Sequence, residues 1–161
     1  MQITESQEKT IELLNPWWQG TGIELGVERT EYLSKIEDII EKRKEILFIL
    51  GSRRVGKTRI LFQFVDRLIK KEIKASQILF LSLDNSNLDN FDWYTYISES
   101  DYKYIFLDEI YYQPKWAQRL KSLYDLPNKN FRIICSGSSS KLIEDNKAFL
   151  TGRSVNLLIT P

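Results

Sequence analysis

Residues 46–58 read ILFILGSRRVGKT, an apolar segment that runs directly into a glycine-rich turn. The turn, from Gly51 to Thr58, matches the pattern G-x-x-x-x-G-K-[ST] at every fixed position. In this pattern backbone N–H groups turn inward as a nest for anions, Lys57 reaches the β- and γ-phosphates, and the Thr58 hydroxyl ligates Mg²⁺. The segment therefore predicts a phosphate-binding loop, with a nucleoside triphosphate as the first ligand to consider.

The sequence on either side of the loop supports this prediction. A strand-length apolar run precedes it, and residues 58–71 place apolar side chains at helical spacing. A helix at that position presents its positive N-terminus to the same phosphates. The alternative is a glycine-rich turn with an incidental lysine, and the strand–loop–helix context argues against it.

A second apolar segment, YIFLDE at residues 104–109, ends in two adjacent carboxylates and looks like a Walker B motif. In an enzyme with a phosphate-binding loop the first acid, Asp108, helps to hold Mg²⁺ beside the loop hydroxyl. The second, Glu109, orients or deprotonates the attacking water. Two solvated loop acids are the alternative, which the upstream phosphate-binding loop makes less attractive.

Composition limits the classes of function that the chain can have. Its 161 residues suit one domain, and a net charge of +1 gives no global attraction to nucleic acid or to an anionic membrane. Histidine is absent from the sequence, which excludes histidine triads and histidine-liganded metal sites. The lone Cys135 lies in an apolar run and is interpreted as a core residue.

The beginning of the chain and its apolar runs bear on location. The N-terminus carries acidic residues early and has no long apolar core, so it does not resemble a secretory signal. Apolar runs also stay well short of the roughly 20 residues of a membrane span. A cytoplasmic protein without a membrane partner is therefore the expectation.

Five apolar segments of strand length alternate with helical patterns. The predicted strands are Glu45–Leu50, Gln77–Leu83, Lys103–Leu107, Phe131–Cys135 and Ser154–Ile159; the predicted helices are Glu31–Lys44, Thr58–Lys71, Pro114–Tyr124 and a short Ser139–Asn146. Continuous apolar runs indicate strands that are covered on both faces, and strand–helix alternation indicates a mainly parallel sheet. Residues 84–100 predict a loop and a short helix, whose aromatics are interpreted as part of a core or a partner-binding face rather than as base-stacking residues.

A serine cluster at residues 136–140 follows the fourth predicted strand. Ligands of parallel α/β folds bind outside the carboxyl ends of the strands, where the glycine-rich loop and the acidic pair are also placed. Ser136 or Ser138 is therefore a candidate to contact the γ-phosphate or the attacking water. A helix N-cap or a turn is the other interpretation for each serine.

Taken in order, NPWW, V-x-R-T-E, GSRRVGKT, FLSLDN, YIFLDEI, IICSGSSS and LTGRS resemble the prokaryotic AAA-type ATPases, a family common in archaea. These belong to the phosphate-loop enzymes that have an additional catalytic glutamate. The resemblance runs from about Asn15 to Pro161. It implies an α/β fold, a three-layer P-loop NTPase with a mainly parallel five-stranded sheet, and it implies ATP and Mg²⁺ as ligands.

The resemblance also implies roles for individual residues. Glu109, Lys57 and Arg153 are the catalytic candidates, and Thr58 with Asp108 is the metal pair. Ser136 or Ser138 fills a sensor position, and Arg153 matches a Gly-Arg pair that senses phosphate or acts across a subunit interface, with packing at a strand start as the alternative. The candidate nucleotide-binding residues are Gly51, Ser52, Arg53, Arg54, Val55, Gly56, Lys57, Thr58, Arg59, Ser136 and Ser138.

The same resemblance predicts the domain organisation. Residues 1–30 are expected to form an N-terminal extension and residues 31–161 the ATPase domain. Relatives place adenine contacts in the region of residues 17–31, whereas we favour Trp17 and Trp18 as anchors of the extension on the core. Relatives also continue past a Leu-x-x-x-Pro segment into a helical lid, so the expectation is a domain that lacks this lid.

Several functions remain open at this point. ATP binding with Mg²⁺-dependent hydrolysis is favoured, because Glu109 is present. The alternatives are a nucleotide-controlled switch or interaction module with negligible turnover and a truncated, inactive remnant. A nucleotide kinase is disfavoured, since its arginine-rich lid has no counterpart. A second copy or another protein is a partner that the resemblance allows, and nucleic acid is not indicated.

Overall fold

The computed structural model describes residues 2–138 and 149–161, and a five-stranded sheet lies at its centre. Its strands are β1 (Ile46–Leu50), β2 (Ile78–Ser82), β3 (Tyr104–Asp108), β4 (Arg132–Gly137) and β5 (Ser154–Leu158). The spatial order is β2-β3-β4-β1-β5, and each neighbouring pair is parallel. The predicted five-stranded parallel sheet is confirmed.

Helices cover both faces of the sheet. They are α1 (Glu5–Leu14), α2 (Thr30–Lys42), α3 (Lys57–Lys70), α4 (Trp93–Ser98) and α5 (Trp116–Tyr124). Apolar side chains of α2 and α3 pack on one face, and those of α1, α4 and α5 pack on the other. The three-layer arrangement explains why β1 is apolar throughout, because every one of its side chains is buried.

Three predicted helices are confirmed as α2, α3 and α5, and the short helix predicted within residues 84–100 is α4. The predicted helix Ser139–Asn146 falls outside the described residues. Helix α1 was not predicted, although the sequence carries its signal. Thr4 and Gln7 form a reciprocal capping box at its start, the T-x-x-Q spacing that is typical of a helix N-terminus.

The N-terminal segment closes one edge of the sheet. The Asn15 side chain accepts a hydrogen bond from Phe80 N (2.7 Å) and donates one to Phe80 O (2.9 Å), so its amide pairs with edge strand β2 as another strand would. The Trp17 and Trp18 indoles both donate to Ile78 O. The two tryptophans therefore anchor this segment on the core, as we favoured from the sequence, and the domain boundary at residue 31 stays a prediction.

Strand order also sets the distances between the sequence motifs. Strand β4 lies between β1, which leads into the glycine-rich loop, and β3, which ends at Asp108. Neighbouring strands are about 4.8 Å apart, so β1 and β3 are separated by roughly 10 Å. Residues at the carboxyl end of β4 therefore lie between the two motifs. Within residues 2–138 and 149–161, no helix is both long enough and apolar enough to cross a membrane.

Candidate functional site

The glycine-rich loop connects the end of β1 to the first residue of α3. Arg54 (φ 64°) and Gly56 (φ 96°) take the left-handed backbone conformation that turns the chain inward. A Cβ atom on Gly51 would lie 2.8 Å from the backbone oxygen of Ile159 and 2.9 Å from a methyl group of Val55, which is closer than Cβ atoms approach other atoms in proteins. The loop therefore needs glycine at Gly51 for close packing and at Gly56 for its backbone conformation.

The Lys57 ammonium is held inside the hollow of this loop. Its Nζ donates hydrogen bonds to Gly51 O (2.9 Å) and Ser52 O (2.8 Å), and the residue is only 6% exposed. These contacts place a positive charge beside the N-terminus of α3. Both features favour an anion at this position.

Thr58 and Asp108 are in contact at the carboxyl end of β3. The Thr58 hydroxyl donates to Asp108 Oδ2 over 2.7 Å, and the Ser136 hydroxyl donates to the other carboxylate oxygen. Burial raises the pKa of Asp108, while the hydrogen bonds from Ser136 and Thr58 act in the opposite direction. A hydroxyl and a carboxylate in contact form an oxygen donor set that suits Mg²⁺, which takes few protein ligands.

Glu109 has an unusual backbone and an unpaired carboxylate oxygen. Its φ of 53° and ψ of 48° lie in the left-handed region, which costs a residue other than glycine about 1–2 kcal/mol. Its N–H donates to Ser136 Oγ over 3.1 Å, so one serine holds both acids. Oε2 of Glu109 is buried without a hydrogen-bond partner among the described residues, while the Tyr111 hydroxyl interacts with the same carboxylate group.

A cavity of about 580 Å³ brings these groups together. Its size falls within the range that small-molecule sites occupy. Four cationic side chains line it, from Arg53, Arg54, Lys57 and Arg59, and Gly56, Thr58 and Glu109 contribute to the same wall. The cavity therefore offers several positive charges, the Thr58 hydroxyl and the Glu109 carboxylate on one surface, whereas Asp108 does not line it and is reached through its contact with Thr58.

Comparison with known proteins identifies the family of the chain. A protein-family profile described as an AAA domain matches residues 43–161. The chain belongs to the AAA domain family. Two uncharacterised proteins of Methanocaldococcus jannaschii are similar to it: MJ1637 is 30% identical over 125 residues, and MJ1544 is 33% identical over 120 residues. These alignments cover 70% and 73% of the chain but 25% and 26% of the relatives, so the chain spans about a quarter of their length.

Two solved structures share the fold of this AAA domain. A DNA polymerase III gamma subunit-related protein from Thermotoga maritima superposes with a TM-score of 0.56 at 15% identity, over 80% of the chain and 46% of that protein. Hsp104, in a closed state with ATPγS and casein, superposes with a TM-score of 0.58 at 16% identity, over 98% of the chain and 29% of that protein. At such identities the likeness concerns the fold alone.

The structure places one predicted catalytic residue of this AAA domain elsewhere. Arg153 precedes β5, and its carbonyl accepts a hydrogen bond from Ile46 N at the start of β1. The loop follows the other end of β1, five residues further on, and a strand rises about 3.3 Å per residue, which gives a separation of roughly 16 Å. The guanidinium instead pairs with Asp125. Within its own chain, Arg153 therefore packs at a strand start away from the loop, and its predicted role in sensing phosphate or acting across a subunit interface stays a prediction.

The two candidate serines have different surroundings. Neither serine lines the cavity: Ser136 is fully buried and contacts both acids, whereas Ser138 lies against Tyr111. Direct contact of either serine with the γ-phosphate or the attacking water stays a prediction. Burial, and secondarily the Glu109 carboxylate, raise the pKa of the Tyr111 hydroxyl. Gly51, Ser52 and Val55 shape the loop without lining the cavity.

Sequence reasoning missed five residues that line the cavity: Glu24, Phe62, Asp84, Tyr111 and Tyr112. Asp84 follows the carboxyl end of β2, which is a position that the strand-end rule identifies. Phe62 lies four residues after Thr58, on the same face of α3. Glu24 has no local signal, because only folding brings its segment to the loop.

Proposed function

We propose that this AAA domain binds ATP with Mg²⁺ and hydrolyses it to ADP and phosphate. The observation that carries the proposal is the buried, unpaired Oε2 of Glu109, which adjoins the contacting pair of Thr58 and Asp108. A carboxylate oxygen without a protein partner beside a cationic cavity suits a water molecule that loses its proton during the reaction.

The cationic wall of the cavity accounts for the phosphates. The Lys57 ammonium donates two of its three N–H groups to loop carbonyls, which leaves one for a phosphate oxygen. Arg53, Arg54 and Arg59 surround the same cavity. The N-terminus of α3, a helix of 14 residues, adds its dipole. Together these groups bind the triphosphate and stabilise the negative charge that develops on the β-phosphate of the leaving ADP.

Thr58 and Asp108 are the residues that would hold Mg²⁺. Mg²⁺ held there would supply positive charge that neutralises the phosphate oxygens. The hydrogen bond from Ser136 fixes the carboxylate of Asp108, so that its second oxygen remains directed at Thr58. The pair is therefore preorganised, and little reordering accompanies binding.

Glu109 acts as the general base of the proposed reaction. It takes a proton from water as the water oxygen forms a bond to the γ-phosphorus, and the bond between that phosphorus and the β–γ bridging oxygen breaks. The left-handed backbone directs the side chain along the cavity wall, and the bond from its N–H to Ser136 maintains that backbone. Membership of the AAA family and the ATPγS present with Hsp104 support ATP as the nucleotide.

The test separates binding from chemistry with two substitutions. Glu109→Gln keeps the shape of the side chain but cannot accept a proton, so phosphate release in a single turnover should fall by about 10²–10⁴-fold while ATP binding persists. Lys57→Ala should lose ATP binding itself. The exposed residues Glu12 and Lys9 on α1 provide matched controls, Glu12→Gln and Lys9→Ala.

Each outcome decides between the functions that the sequence left open. Unchanged phosphate release in Glu109→Gln would remove Glu109 from the chemistry. Binding of ATP that depends on Lys57 without any phosphate release in the wild-type chain would favour a nucleotide-controlled switch. If the wild-type chain bound no ATP, the proposal would fail at its first step.

A further inference from the structure

The V-x-R-T-E segment of the sequence contains an arginine, Arg29, that the proposed site does not use. Arg29 immediately precedes α2 and is half-buried. One terminal nitrogen of its guanidinium donates to Val55 O inside the glycine-rich loop (2.8 Å), and the other donates to Thr160 O just after β5 (2.5 Å). A single side chain thus ties the loop to the segment that follows β5.

The contact with Val55 constrains a donor of the anion nest. The carbonyl of Val55 and the N–H of Gly56 belong to the same peptide plane, and in a trans peptide they point in opposite directions. Fixing the carbonyl toward Arg29 therefore directs the Gly56 N–H away from Arg29. Gly56 lines the cavity, and Arg29 does not. The guanidinium consequently sets the direction of a backbone donor that it does not touch.

The guanidinium is itself held on several sides. It lies 4.6 Å from the centre of the Tyr32 ring, and the Tyr32 hydroxyl is hydrogen bonded to Thr160. The main chain at this position is fixed as well, because the backbone N–H of Arg29 donates to the side chain of Gln63, whose amide in turn donates to Leu25 O and Val27 O. These contacts leave the guanidinium little freedom, so its position constrains the loop instead of following it.

We propose that Arg29 is a positioning residue for phosphate binding, which holds the Val55–Gly56 peptide so that the Gly56 N–H faces the anion. The inference rests on the proposed function, because it concerns the same phosphate site. A lysine keeps the charge at this position but lacks the planar fork that reaches two carbonyls at once. Arg29→Lys therefore removes the geometry while it retains the charge.

Two measurements on the whole chain test this role. The first is the amide ¹H–¹⁵N resonance of Gly56 in the wild type, Arg29→Lys and the control Arg43→Lys, in which the changed arginine is an exposed residue at the end of α2. The second is the affinity of each protein for tripolyphosphate and for MgATP. A thermal melt of each variant confirms that it is folded.

We expect the Gly56 resonance to move in Arg29→Lys and to stay in place in the control. Tripolyphosphate and MgATP should both bind about tenfold more weakly, which corresponds to about 1.4 kcal/mol. Tyr32→Phe removes the hydroxyl that contacts Thr160 but leaves the bond from Arg29 to Val55, so it should keep the wild-type Gly56 resonance and affinities.

Three results would overturn the inference. The Gly56 resonance could remain unchanged in Arg29→Lys, both ligands could bind as tightly as to the wild type, or only MgATP could be weakened, which would place Arg29 at the nucleoside. A wild-type chain that binds neither ligand would instead overturn the proposed function and, with it, the role of Arg29. Ligand binding by the wild-type protein therefore distinguishes failure of the proposed function from failure of the role of Arg29.

Discussion

Ser136→Ala is the substitution that tests most directly how the two acids are held. The Ser136 side chain is fully buried, and its hydroxyl makes two contacts. It accepts a hydrogen bond from the Glu109 N–H and donates one to the Asp108 carboxylate. Alanine removes the acceptor of the first and the donor of the second, while it leaves the volume of the site almost unchanged.

The expected loss of stability follows from those two hydrogen bonds. A neutral hydrogen bond contributes about 1 kcal/mol, and one to a charged group about 1.5–3 kcal/mol. The free energy of unfolding should therefore fall by about 2.5–4 kcal/mol. For a domain of this size, a loss of 3 kcal/mol lowers the melting temperature by roughly 6–12 °C.

The effect of Ser136→Ala should also depend on pH. Burial already raises the pKa of Asp108, and loss of a donor to its charged form raises that pKa further. A raised carboxylate pKa destabilises the folded state once the group is ionised, at pH values above the unfolded pKa of about 3.9. The destabilisation by Ser136→Ala should therefore shrink as the pH falls and Asp108 becomes protonated in the folded protein.

Urea denaturation at several pH values and single-turnover phosphate release provide the assay. Phosphate release should drop by about tenfold or more, because Glu109 loses the contact that maintains its left-handed backbone. Ser122→Ala is the control, since its exposed hydroxyl donates to the Gln118 carbonyl one helical turn earlier and has no other hydrogen bond among the described residues. Wild-type stability and wild-type turnover in Ser136→Ala would refute the reasoning.

Two further predictions concern the edge of the sheet and the remote arginine. Asn15→Ala should lower the free energy of unfolding by about 3 kcal/mol, because the N–H and C=O of Phe80 lose their buried partner. A wild-type midpoint in urea denaturation would contradict this prediction. Arg153→Ala should leave ATP turnover unchanged at protein concentrations at which the chain is monomeric, because Arg153 pairs with Asp125 far from the loop. A loss of turnover at every protein concentration would contradict this prediction.

Much of the fold was predictable from local patterns. Continuous apolar runs predicted five buried strands, and their alternation with amphipathic segments predicted parallel pairing. Helix α1 was missed because its signal is a single capping box before a weakly apolar stretch. Pairing of the Asn15 side chain with the backbone of β2 could not be predicted, since it joins residues that are 65 positions apart.

Some features of the candidate site were likewise predictable from the sequence, and others depended on the tertiary structure. By itself, the sequence determined the glycine-rich loop, the acidic pair and their place at strand ends, because each depends on residues that are close together in the chain. The tertiary structure alone placed Ser136 against both acids, brought Glu24 to the cavity, joined Arg29 to the loop and put Arg153 at the opposite end of the sheet. The physical reason is that distances between strands depend on their order and register, and here that order inserts β4 between the two motifs.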